Sequence, residues 1–458
     1  MRNELIKPII TAAVLCVAFS GCATRPLPLY AGTGKVDITP AQPVISAEGQ
    51  SFRLPDNTPP EKRTPLGNVH DPLYARVVVL KNKDVSFAIV SADLMLFSSK
   101  RVIDEARKRW SIEHVILSAT HTHSGMVPRG LCPTAGGWEW RSAEADPGEL
   151  LNWPALSEDP WYAETEDKII AAIGEAAGNL FPARLAAGKG TYESIYLGHN
   201  RRLIRPAHGV VPRSVITLWD NPTRMPTTPS DPTVGVIRIE DEARKPRAFM
   251  VHYACHPISM MGSSMITADF PGAMTDYIER QLGDSCMAMF LQGAAGDINP
   301  YETNMRGAYG LNMTRQAGIA LAKAALGVSE NLPSPEEPKA VVQVKESMLD
   351  IADREGNKSS AACVASVVIN RDLALVAMPG EIFVQHQLNL SERSLIPNTF
   401  LLGIAYCGLG SPFLNYIPTA QAVEEGGYGA TQFSFVAADA GDRMVDAAVA
   451  AIDELVGE

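Results

Sequence analysis

The sequence predicts a mixed, largely βαβ-built α/β fold, and three observations carry that expectation. The chain has 458 residues, 46% hydrophobic and 20% charged, the composition of a folded protein able to bury a sizeable core. Short apolar runs rich in Val, Ile and Ala alternate with segments whose apolar residues recur at helical spacing. Several of those runs stop at a His-Pro, Gly or Pro-Gly, as strands do when they feed a loop. A chain of this length often divides into two or three domains, but the repeated grammar predicts one large domain over residues 35–458.

Residues 73–81 and 85–91 are expected strands, 98–110 a helix capped by Ser98 and Ser99, and 114–119 a strand. The last three make a βαβ unit. The pattern returns at 248–254, a strand that ends at Cys255, His256 and Pro257, followed by a helix over 270–282 and a strand over 287–291. That strand runs into a glycine-rich loop, 293–301. Residues 329–339 read as an exposed linker inside the domain, and 373–378 as a strand stopping at Pro379, Gly380 and Glu381. A turn-rich stretch, 403–433, precedes a closing helix over about 440–455. Parallel units of this kind carry functional groups in loops at the carboxyl ends of their strands.

Residues 1–21 read as a signal peptide: Arg2 and Lys7 supply positive charge, and 8–19 is an apolar run too short to span a bilayer. Ser20, Gly21 and Cys22 follow, an ending that resembles a bacterial lipobox although Phe19 stands where that motif has Leu, Ala or Val. The resemblance implies export with a lipid on Cys22, hence a membrane-anchored periplasmic or cell-surface protein. An ordinary secretory signal is the alternative. Residues 22–34, rich in Pro, Gly and small side chains, read as a tether. Seven cysteines with no CxxC spacing exclude a zinc knuckle and a dense disulfide framework. After removal of Cys16 and Cys22, at most two disulfides can form, and Cys255 is expected to pack as a small apolar residue. The acidic balance, 51 Asp and Glu against 40 Lys and Arg, contains no long basic run, which argues against a nucleic-acid partner.

His121 and His123 follow a strand, and an extended His-x-His turns both rings to one side. Alone, such a pair fits a structural role as well as a metal. His256 follows another apolar strand, and Glu381 stands at the end of a third, where a buried carboxylate needs a partner or a cation. Two His and a carboxylate from three strand ends are what a catalytic zinc requires, with a remaining position for water.

Ala-Thr-His-Thr-His-Ser-Gly around His121, the later His256 with residues 264–272, Gly-Asp-Ile-Asn-Pro at 296–300, Pro-Gly-Glu at 379–381 and Asn-Tyr-Ile-Pro-Thr at 415–419 occur in this order. Together they resemble the catalytic region of the neutral and alkaline ceramidase family over roughly residues 32–435. The resemblance implies one zinc per chain, held by His121, His256, Glu381 and Tyr416. It takes His123 out of the ligand set and turns it to the scissile carbonyl. It also gives Arg201 a catalytic role, puts Asn200 and Asp297 near the substrate, and makes Tyr416 a proton donor as well as a ligand. Asn299 stands where the family has a catalytic Ser, so an acyl-accepting nucleophile is missing. Its amide could still hydrogen-bond the substrate while a metal-activated water attacks. The implied reaction is hydrolysis of an acyl amide in ceramide or another N-acyl lipid. An esterase or lactonase on the same site, and a non-catalytic ligand-binding lipoprotein, remain the alternatives. The resemblance leaves no room for the family's C-terminal β-sandwich after Ala440. Trp138, Trp140, Trp153 and Trp161 fall together after His123 among Pro and Gly, a long loop expected either to bind substrate, through Trp138 and Trp140, or to pack onto the body.

Overall fold

Apolar strands interrupted by amphipathic helices must find cover for two faces, and here three sheets supply it for one another. The computed structural model describes residues 26–40, 68–125, 160–206, 208, 214–261, 263, 265–407 and 413–457. Its main elements are β1 (Tyr30–Asp37), β2 (Tyr74–Lys81), β3 (Ser86–Ala92), α1 (Lys100–Trp110), β4 (His114–Ala119), α2 (Pro160–Gly178), β5 (Arg184–Thr191), β6 (Thr233–Glu240) and β7 (Pro246–Tyr253). There follow α3 (Asp269–Leu282), β8 (Met287–Gln292), α4 (Gly307–Glu330), β9 (Val342–Ala352), β10 (Ser359–Ile369), β11 (Leu373–Ala377), α5 (Val384–Arg393), β12 (Asn398–Leu402) and α6 (Ala440–Gly457).

The first sheet runs Ala405–Tyr406, β4, β3, β2, β1, Phe181–Pro182; the second β8, β7, β6, β5; the third β9, β10, β11, β12. Each contains one parallel pair among antiparallel neighbours: β3 with β4, β7 with β8, β11 with β12. The crossovers are α1, α3 and α5, so one βαβ unit lies in each sheet. The inner faces share a core that includes Leu80, Phe87, Ile237, Met250, Met289, Leu375 and Phe400. Outside, α1 and α2 cover the first sheet, α3 and α4 the second, α5 and α6 the third. All seven residues of β3 are buried, the pattern of a strand covered on both faces. Ser91 Oγ donates to Phe290 O at 2.7 Å and ties β3 to β8.

The expected strands and helices appear with small boundary shifts, and three readings change. Order begins before residue 35: Leu27–Pro28 pairs with Lys339–Ala340, and β1 pairs along its length with β2. The glycines that suggested a tether are there because α2 lies against β1; a Cβ on Gly34 would meet Ala172 O at 2.2 Å. Trp161 belongs to α2, not to a loop, whereas Cys22, Trp138, Trp140 and Trp153 lie outside the described residues. The 329–339 segment is largely exposed as expected, and is anchored by Arg184 donating to Glu336 O and Arg238 to Leu332 O. Finally, the glycine-rich loop contains a short strand, Ile298–Pro300, paired with Leu197–Asn200. Cys363 and Cys407 form a disulfide that joins the third sheet to the first, and Cys255 is a buried free thiol.

Candidate metal centre

The three βαβ units open toward one point, and each contributes a side chain there. Beyond β4, Thr120 N donates to Ala92 O and His121 N to Leu94 O, folding the chain back over the end of β3. His121 has φ of +67°, so the His-x-His is not extended. Its rings still converge, edge to face with centroids 4.7 Å apart, because this turn rather than strand alternation aims them. His123 N donates to Pro257 O, joining this loop to the one after β7. His256 N is fixed to Ile298 O at 3.0 Å, and Glu381 N to Asn415 O at 2.8 Å. Glu381 and Tyr416 face each other in a two-residue parallel pairing. His121, His123, His256, Glu381 and Tyr416 are all buried.

His121 Nδ1 meets Met95 O at 2.7 Å, and His256 Nδ1 meets Ala295 O. Carbonyls only accept, so each Nδ1 carries the proton and each Nε2 presents a lone pair. Yet both Nε2 atoms face Glu381 Oε2, at 3.4 Å from His121 and 3.0 Å from His256. Burial pulls the His256 imidazole down to about 3, which keeps it neutral at ordinary pH. Lone pairs facing a carboxylate repel unless a cation lies between them. His123 adds a third nitrogen: its Nε2 is 3.2 Å from that of His121, and the ligand atoms of His121, His123 and His256 lie within 4.8 Å of one another. The residues present therefore fit a metal ion, with His123 inside the cluster that the family resemblance had drawn without it.

Tyr416 lies opposite Glu381 in the parallel pairing and beside the Arg201 guanidinium. Burial, then the Glu381 charge, pushes its phenol well above the ordinary range, so the protein's own groups keep it protonated. Only a nearby cation would reverse that. Arg201 is fully buried with its guanidinium 4.7 Å from the Tyr428 ring centroid, 5.1 Å from Tyr416 and 5.7 Å from Trp219. Its Nη2 donates to Gly296 O and Nη1 to Asn299 Oδ1 at 3.5 Å, while Nε has no hydrogen-bond partner among the described residues. Trp219 and Tyr428 were not expected here: neither lies in a motif, and only the fold brings them to Arg201.

Three residues expected at the substrate turn inward instead. Asn200 Nδ2 donates to Asp297 Oδ2 at 2.7 Å and Pro229 O at 2.8 Å, and its Oδ1 accepts from Arg202 N at 2.9 Å. Asp297 Oδ1 accepts from Val384 N at 2.8 Å. Asn299 Nδ2 donates to Trp219 O at 3.4 Å, with Oδ1 turned to Arg201. Their side-chain polar atoms are engaged within the protein, and Asn299 touches Arg201.

No protein-family model and no curated protein matches this chain. Among solved structures it is similar to neutral ceramidase from Pseudomonas aeruginosa, with TM-score 0.65 and 18% identity over 93% of this chain and 75% of that one. A ceramidase complexed with C2 gives TM-score 0.66 and 16% identity over 93% and 76% of the respective chains. At such identity the likeness is one of fold, and the three-sheet arrangement is a ceramidase-like fold.

Proposed function

We propose that this protein is a zinc-dependent hydrolase of acyl amide bonds, acting on an N-acyl lipid or a related N-acyl small molecule. The observation that carries the reading is the convergence of His121, His256 and Glu381, whose facing atoms have no proton from His256 to share. Zinc accepts imidazole nitrogen and carboxylate oxygen together, and catalytic zinc sites keep a position open. The ceramidase-like fold supports an acyl amide as substrate. When bound, zinc would supply a Lewis acid and a water of lowered pKa. The chain's own groups do the rest in this reading. Arg201, its Nε–H uncommitted among the described residues, and His123 steady the developing oxyanion. Tyr416, whose phenol a bound cation would make easier to ionise, hands its proton to the leaving nitrogen as the carbon–nitrogen bond breaks. Asn299 stands beside Arg201 and offers no nucleophile, so no acyl-enzyme forms.

Elemental analysis of the purified protein should find one zinc per chain, and a His121→Ala, His256→Ala double variant should lose it. Zinc at background in the wild type, or unchanged in the variant, rejects the assignment. A panel of acyl amides of graded chain length beside matched esters then tests the reaction. Turnover of esters alone would make the protein an esterase or lactonase, and none with zinc bound would make it a ligand-binding lipoprotein. Export and a lipid on Cys22 belong to the same proposal. The Cys363–Cys407 disulfide supports an oxidising compartment.

A further inference from the structure

We propose that the buried pair Asn200 and Asp297 is a positioning device that sets Arg201 against Glu381; this rests on the functional reading above for its view of those two as working groups. The turn at Gly296 and Asp297 is a joint between two separate segments. Toward one side, Asp297 O accepts from Arg201 N at 2.8 Å, Asp297 Oδ2 from Asn200 Nδ2 at 2.7 Å, and Gly296 O from Arg201 Nη2. Toward the other, Gly296 N donates to Ile382 O at 2.8 Å, and Asp297 Oδ1 accepts from Val384 N at 2.8 Å. Asn200 immediately precedes Arg201, and Val384 lies three residues past Glu381. The joint is close-packed: a Cβ on Gly296 would meet Glu381 O at 2.4 Å. One carboxylate thus bonds both segments through opposite oxygens, in a region where each bond is shielded from water.

A residue serving only stability would not couple the two segments; a positioning residue moves both when one bond goes. Asp297→Asn keeps the size but cannot accept from both Asn200 and Val384. In full-length protein labelled with ¹⁵N-arginine, the Arg201 guanidinium, assigned by its loss in Arg201→Lys, is expected to exchange its protons and rotate faster in Asp297→Asn than in the wild type. Zinc affinity should fall by about 10- to 100-fold, the usual cost of losing a supporting hydrogen bond behind a ligand. The reciprocal Asn200→Asp, Asp297→Asn protein restores the bond between the pair with its direction reversed but sets a carboxylate oxygen against Pro229 O, so it should recover part of both relative to Asp297→Asn alone. If Asp297→Asn does not fold, Asn200→Ser, which leaves the carboxylate and shortens its donor, carries the same expectations. Lower thermal stability with Arg201 exchange unchanged would overturn the proposal. The guanidinium measurement needs neither metal nor substrate. A wild-type chain that binds no zinc therefore removes the functional reading, while Arg201 exchange still decides the role of the pair.

Discussion

Asp269 is a carboxylate that burial carries far from ordinary behaviour. Taking it out of water pushes it up to about 6 from 3.8, although the backbone N–H groups of Met260 and Phe270 and the Ser259 side chain favour its ionised form. Because the folded state holds this proton more tightly than the unfolded one, its contribution to stability is full below about pH 4 and is lost as pH rises through about 6. A shift of this size is worth about 3 kcal/mol. The stability of the wild type, measured by urea unfolding, should therefore fall by about that much relative to Asp269→Asn between pH 4 and 7. Asn fits the left-handed backbone at this position, φ +55°, and the acceptor it loses is a pH-independent offset, so the pH dependence of the difference reports the charge. A difference that stays flat with pH would refute it. His121 illustrates the opposite limit on reading single residues: its place beside a strand end is legible in Ala-Thr-His-Thr-His, but its positive φ is not, since the hydrogen bonds to Leu94 and Met95 that impose it come from another strand's loop.

At the scale of elements, local sequence carries most of what the βαβ units need. Ser99 caps α1 by accepting from Val102 N at 3.0 Å, and Arg107, Lys108 and Arg109 fill its last turn, where the helix dipole favours cations. Replacing Ser99 with Ala should cost about 1 kcal/mol in chemical denaturation through the cap alone. Ser99 also bonds Glu166 of α2, so a larger loss would assign part of its role to docking the two helices. The Pro- and Gly-rich start misleads for a physical reason. Small residues mark flexible chain when nothing packs on them, and they mark close packing when a helix does, as α2 does on β1. Trp161 misleads similarly, because Pro160 reads as a loop residue although proline is well tolerated in the first turn of a helix.

At the scale of the whole molecule, three sheets share a core and, among the described residues, one disulfide. Cys363 and Cys407 close a loop of 44 residues, for which chain entropy predicts a stabilisation of about 4 kcal/mol. Both are buried. Native protein should resist mild reductant, and reduction under unfolding conditions should lower the denaturant midpoint on refolding; an unchanged midpoint would mean the link adds nothing. Localisation is tested at the same scale. Cys22→Ser should abolish labelling by fatty acid and release the protein from membranes, and label that persists would place the anchor elsewhere.

By itself the sequence determined that this is an α/β protein, where half of its main strands and two of its three crossover helices lie, and that His121, His256 and Glu381 each follow a strand. Those features are legible because hydrophobic period, caps and breakers act over a few residues. Tertiary structure decided the rest. It alone brought His123 within 3.2 Å of His121, enclosed Arg201 with Trp219 and Tyr428, and turned Asn200, Asp297 and Asn299 inward to bond their neighbours. Apart from the His121–His123 pair, which the turn at His121 aims, these contacts span segments far apart in the chain. Side-chain direction there is set by which buried donors and acceptors remain to be satisfied once the sheets have packed, a condition no local pattern encodes.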